Sequence, residues 1–271
     1  MNSSVIVWDL EIVPDLEAAA RVGGMVGAPE TEIRESLGEK FPKLPLHKIV
    51  CIGAVVAEMY EGVWRVQALG APHIGERSER ELILAFVEKI AAYKPQLVTF
   101  NGNSFDLPVL RYRAMMHRID APGLECRPYF RRYTEDCLDL CDALSSFDSR
   151  SKMKLNDLSR AFGFPGKPEG IDGSEVERYV NDGRIVEVAQ YCETDVINTY
   201  RIWLFYELFR AFLTPEQHRS SDESLQSYIS DRLLVKPYLK FMIEQAPSWS
   251  IQVADSSPTA IGSSLAREFQ R

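Results

Sequence analysis

Four acidic residues, Asp9, Glu11, Asp106 and Asp195, fall near the ends of strands and helices that can be read from the sequence. A tyrosine, Tyr191, precedes the last of them by one helical turn. Carboxylates repel when brought together unless positive charge is held between them, so the set points to divalent cations. Two cations clamped by carboxylates suit the in-line attack of water on a phosphodiester.

The elements that must position these groups follow from hydrophobic pattern. Val5 to Trp8 is a short β-branched, apolar run that predicts a buried strand with Asp9 at its C-terminal end. A polar stretch follows to Pro45, broken by Gly23, Gly24, Gly27, Pro29 and Pro42. Ile49–Val56 and Val63–Leu69, turning at Glu61-Gly62, predict an antiparallel hairpin. A helical period runs from about Glu76 to Tyr93. Leu97 to Phe100 predicts a second buried strand, and a helix is expected from about Phe105 to His117.

Beyond Arg150 the pattern is mainly helical: Lys154–Phe162, Ser174–Asn181 and a long helix from Arg184 to about Leu213, with a glycine-rich loop over Gly163–Gly173. Thr214-Pro215-Glu216-Gln217 has the composition of a capping box and predicts a further helix. Residues 1–213 therefore read as one α/β domain and 214–271 as a helical extension. Pro247 to Arg271 is serine-rich and aperiodic, and is expected to be poorly ordered.

Each motif has a plainer reading when taken alone. Asp9 and Glu11, two apart on extended backbone, share a face, yet a solvated strand end would look the same. Asp106, in a first helical turn, could simply complement the helix dipole. Tyr191 and Asp195, four apart, lie at the edge of the stripe made by Val188, Cys192, Val196, Tyr200 and Trp203; a surface tyrosine is the alternative. Asp-x-Glu and Tyr-x-x-x-Asp each occur about once by chance in such a chain. Glu187 and Glu193 read as surface charge. What raises the chemical reading is that three patterns occur in order, each on the element its chemistry needs.

Composition narrows the partners. The 271 residues are 45% apolar and 26% charged, as in an ordinary soluble protein. A net charge of −8 argues against bulk electrostatic binding of long duplex DNA but not against the holding of a few nucleotides of one strand. Five cysteines without a CxxC pair indicate neither a disulfide framework nor a zinc site; Cys137 and Cys141 are spaced to share a helical face, but with no histidine nearby, packing or chance is the plainer reading. There is no signal peptide or membrane-spanning stretch in the sequence, so a cytoplasmic location is expected.

Val-Trp-Asp9-Leu10-Glu11, Asn101-Gly-Asn103-Ser-Phe105-Asp106 and Tyr191-Cys-Glu-Thr-Asp195 resemble the tyrosine branch of the DEDD 3′–5′ exonucleases. Lys154-Leu-Asn-Asp-Leu158 and Gly163-Phe-Pro-Gly-Lys167 narrow the resemblance to predicted exonucleases related to the proofreading domain of family B DNA polymerases. Over residues 4–210 the resemblance implies a ribonuclease H-like mixed sheet flanked by helices. It also implies two Mg²⁺ or Mn²⁺ ions held by Asp9, Glu11, Asp106 and Asp195, with Tyr191 orienting the attacking water. Leu10, Asn101, Asn103 and Phe105 become candidate contacts to the 3′ nucleotide of a single strand, DNA favoured over RNA. Arg111, Arg113, Arg127, Arg131, Arg132, Lys152, Lys154 and Lys167 are candidate phosphate contacts. An exoribonuclease and a catalytically idle binding module are the competing readings. No protein partner is indicated.

Overall fold

The computed structural model describes residues 4–38, 41–131, 133–166 and 173–244. Five strands form one mixed sheet in the order β3-β2-β1-β4-β5. They are β1 (Ser4–Pro14), β2 (His47–Tyr60), β3 (Val63–Gly70), β4 (Gln96–Thr99) and β5 (Cys137–Asp139). β2 pairs antiparallel with β1 and β3, whereas β4 runs parallel to β1 and β5 parallel to β4. Helices cover both faces, so the expected ribonuclease H-like arrangement is present.

Strand alternation decides which residues meet which layer. Val5 and Val7 of β1 pack with Val196, Tyr200 and Trp203 of the long helix α8 (Ile185–Phe209). Ile6, Trp8 and Leu10 point the other way, into a cluster with α3 (Glu79–Tyr93) and α4 (Asp106–Met116). Asp9 and Glu11 continue the first column, so the same periodicity that builds the core aims both carboxylates at α8.

β1 does not stop at Trp8 but runs on to Pro14, because β2 is long enough to pair with it down to His47 opposite Pro14. The stretch that follows is not irregular either. It holds α1 (Leu16–Gly23), capped by Asp15 accepting from the Ala18 amide at 2.9 Å, and α2 (Glu30–Leu37). Ala19, Ala20 and Ile33 form a small cluster of their own there.

β5 was not expected, and its three residues are too few to show a period. It places Cys137 on the sheet and Cys141 on α5 (Leu140–Leu144), so the two do not share a helix. α6 (Leu155–Ala161) and α7 (Val176–Asn181) complete the layer beside α8.

α9 (Pro215–Ser230) begins at the expected capping box, with hydrogen bonds in both directions between Thr214 and Gln217. It closes the β3 edge: Ser221 and Ser224 hydroxyls accept from the amides of Trp64 and Val66 at 3.0 and 3.1 Å. These would otherwise be open donors on an edge strand. Leu225 and Ile229 of α9, with Leu239 and Met242 on and just before α10 (Lys240–Glu244), belong to the same hydrophobic cluster as β1 and α8. No helix among the described residues is long and apolar enough to cross a membrane. The expectation for Pro247 to Arg271 lies outside the described residues.

Candidate active site

Asp9 pairs with Gly53 and Glu11 with Cys51 across the β1–β2 ladder. The register shifts immediately after Glu11, which leaves Val50 as an extra residue on β2. Such a bulge bends the strand and re-aims the side chains beside it. Asp9 is half-buried and Glu11 is 7% exposed. Gly53 lets α8 come close at this level, because a Cβ there would stand 2.6 Å from the Cys192 thiol and 3.3 Å from Val196. The Cys192 thiol consequently reaches to 3.9 Å from the Asp9 carbonyl. One ligand atom each from Asp9, Glu11 and Cys192 lie within 4.8 Å of one another.

Asp106 opens α4 beyond the end of β4 and is 6% exposed. The turn before it needs Asn101 at a φ of 68°, a conformation that asparagine tolerates. At Gly102 a Cβ would meet the Asp106 carboxylate at 2.5 Å. Asp139, at the end of β5, accepts from the amides of Asn101 and Asn103 at 2.8 and 3.0 Å and caps α5 as well. Burial, and then the charges of Asp9 and Asp139, hold the Asp106 carboxyl well above the usual carboxylate range. Any cation held beside Asp9 and Asp106 would offset both the burial and the repulsion.

These groups face a cavity of about 530 Å³. Asp9, Glu11 and Asp106 supply its acidic lining, Leu10, Phe41, Phe100 and Phe105 apolar lining, and Asn101 and Ser104 neutral polar groups. Tyr191 and Asp195 are 4% and 5% exposed on a helix that is buried almost all round from Val188 to Leu204. The Tyr191 hydroxyl would lie 3.8 Å from a Cβ at Gly173, which also lines the cavity. Asp195 does not line the cavity; it stands one turn beyond Tyr191, beside the Val196 that packs at Gly53. The carboxylate oxygens suit small hard dications, whereas the adjacent Cys192 thiol is a soft donor that adds nothing to such a site.

Residues 39–245 match the family model described as a predicted 3′–5′ exonuclease related to the exonuclease domain of PolB. The chain belongs to that family. With it comes membership of the 3′–5′ exonuclease class of hydrolases. Asp106, Tyr191 and Asp195 lie inside the matched segment, whereas Asp9 and Glu11 precede it; the fold brings Asp9 and Glu11 to one cavity with Asp106. A search of curated proteins finds no match. Among solved structures, a product-bound exonuclease I is similar over 74% of this chain and 47% of that one, with 14% identity and a TM-score of 0.34. The chain thus spans about half the length of that protein.

The other expected residues are placed unevenly. Leu10, Asn101 and Phe105 line the cavity, and Asn101 accepts from the Lys152 ammonium at 2.8 Å. Asn103 is turned to β5 instead, donating to the Cys137 carbonyl and accepting from the Cys137 thiol. Arg113 is buried between Asp15 and Glu79 and faces no solvent strand. Arg127 is paired with Asp136, and Arg111 lies over the Phe130 ring. Arg131 and Lys154 are exposed, while Arg132 and Lys167 lie outside the described residues.

Glu187 is on the surface, bonded to Arg184. Glu193 is not a surface charge: it is buried and held by Lys236 and Tyr238. Sequence reasoning missed Asp139, Cys192 and Phe41. Asp139 followed an unrecognised strand, Cys192 looked like core, and Phe41 sits in a segment without any period.

Proposed function

We propose that this chain hydrolyses single strands from the 3′ end in a metal-dependent reaction, releasing 5′-mononucleotides, with DNA favoured over RNA. The convergence of Asp9, Glu11 and Asp106 on one cavity carries the reading. Family membership supports the polarity, and the family's relation to a polymerase exonuclease domain supports DNA.

Asp9, Glu11 and Asp195 would hold one Mg²⁺ or Mn²⁺ and Asp9 with Asp106 a second. Two such ions supply acidified water and charge for the leaving oxygen. Tyr191 would donate or accept one hydrogen bond to fix the attacking water, its position set by burial on α8. Asn101, held by Lys152 and by Asp139 through its amide, would bind the terminal sugar. Leu10 and Phe105 would exclude water around it. Residues 214–271 would act as an extension of the domain, whose described part covers β3. The free state of all five cysteines suits a reducing compartment such as the cytoplasm.

The test is cleavage of 3′- and 5′-labelled single-stranded DNA and RNA with Mg²⁺, Mn²⁺ or a chelator. Stepwise shortening from the 3′ end of DNA, abolished by chelator, is expected. Faster cleavage of RNA would assign the substrate to RNA, and binding without metal-dependent cleavage would make the chain an idle module.

A further inference from the structure

Phe41 lies in the segment between α2 and β2 and is 68% exposed, an uncommon state for a phenylalanine. It is nevertheless held in place. Its ring centroid stands 4.7 Å from that of His47 and 5.4 Å from that of Phe105, and those two rings are 5.3 Å apart. His47 is fully buried at the start of β2, and its Nε2 bonds to the Pro42 carbonyl at 3.0 Å. That bond ties the backbone next to Phe41 to the sheet. Phe105 immediately precedes Asp106. One ring contact therefore fixes Phe41 relative to an acid of the site.

We propose that Phe41 is the stacking surface for the base of the 3′-terminal nucleotide, forming a shelf with Phe105; this rests on the exonuclease reading above. The cavity is lined by two unlike kinds of group, carboxylates and aromatic rings with Leu10 and Ile12. A terminal nucleotide is divided in the same way, between its phosphodiester and its base. Aromatic faces accept any base, so such a shelf gives affinity without sequence preference. Phe105 is already half-buried by its neighbours, and the ring with most open surface in this lining is Phe41. Its role is to hold substrate, not to take part in the chemistry.

The experiment compares wild type, Phe41→Ala and Phe41→Trp on oligonucleotides ending in a normal or an abasic 3′ nucleotide. On the normal end Phe41→Ala should raise KM roughly 5- to 150-fold with little change in kcat, and Phe41→Trp should restore it. On the abasic end wild type and Phe41→Ala should be alike. Affinity for a 5′-mononucleotide, measured without turnover, should fall by the same factor, with the melting temperature unchanged. An unchanged KM on the normal end, or an equal rise on both ends, would overturn the shelf while leaving the exonuclease intact. If wild type cleaved neither end, the exonuclease reading would fail instead, and mononucleotide affinity would still decide the shelf.

Discussion

Gly53→Ala tests how closely α8 must approach the sheet. The added Cβ would lie 2.6 Å from the Cys192 thiol, 3.2 Å from the Cys192 carbonyl and 3.3 Å from Val196. Ordinary contact between such atoms begins near ~3.5 Å, so the helix must retreat by about 1 Å or the thiol must turn. Cys192 is fully buried, so a turn of its thiol must displace its neighbours. Overpacking of this kind costs roughly 1–3 kcal/mol, which lowers the melting temperature by about 2–12 °C in a chain of this size. The same retreat carries Tyr191 and Asp195 away from Asp9. A misplacement of about 1 Å in an active site costs on the order of 100-fold in rate. Thermal melts, and initial rates on 3′-labelled DNA at a temperature where the variant is folded, separate the two effects. Combining Gly53→Ala with Cys192→Ala removes the shortest contact and should return a coupling of about 1–2 kcal/mol, together with most of the rate. If Gly53→Ala matched wild type in both measurements, or if the double variant were no better than the single, the close approach of α8 would not be what assembles the site.

Asp106→Asn should lower cleavage roughly 100-fold or more, since each bound cation contributes several kcal/mol. It should also raise stability in chelator. A carboxyl whose proton affinity is raised by folding destabilises the native state above its unfolded pKa, so the gain should vanish below about pH 4 and grow as pH rises; melts across pH check the sign. Tyr191→Phe should lower kcat by about 100-fold while metal affinity, followed by calorimetry, stays nearly constant. Arg113→Ala should cost about 3–5 kcal/mol in denaturant unfolding, because Asp15 and Glu79 would be left as buried charges without their cation.

Much of this site is legible in the chain because its acids sit on strongly patterned elements. The alternation of Val5, Val7, Asp9 and Glu11 sets the face on which both carboxylates reach the cavity, even though β1 runs further than its apolar run suggests. The capping box at Thr214 and the long apolar stripe of α8 are equally local signals. What could not be read depends on pairing between distant segments. β5 exists because β4 offers an edge, and only there does Asp139 become the residue that ties down Asn101 and Asn103. The bulge after Glu11 belongs to the β1–β2 ladder as a whole. Glu193 reads as a surface charge until Lys236 and Tyr238 fold over it. Phe41 has no period to announce it, since its place is set by contact with two rings that belong to other elements.

Diffraction from crystals soaked in Mn²⁺ with a 5′-mononucleotide, collected for anomalous signal, addresses the assembled acids themselves. Two peaks are predicted, both bounded by Asp9, with Glu11 and Asp195 around one and Asp106 beside the other. Peaks elsewhere on the molecule, or none at millimolar Mn²⁺, would contradict the shared-cation site.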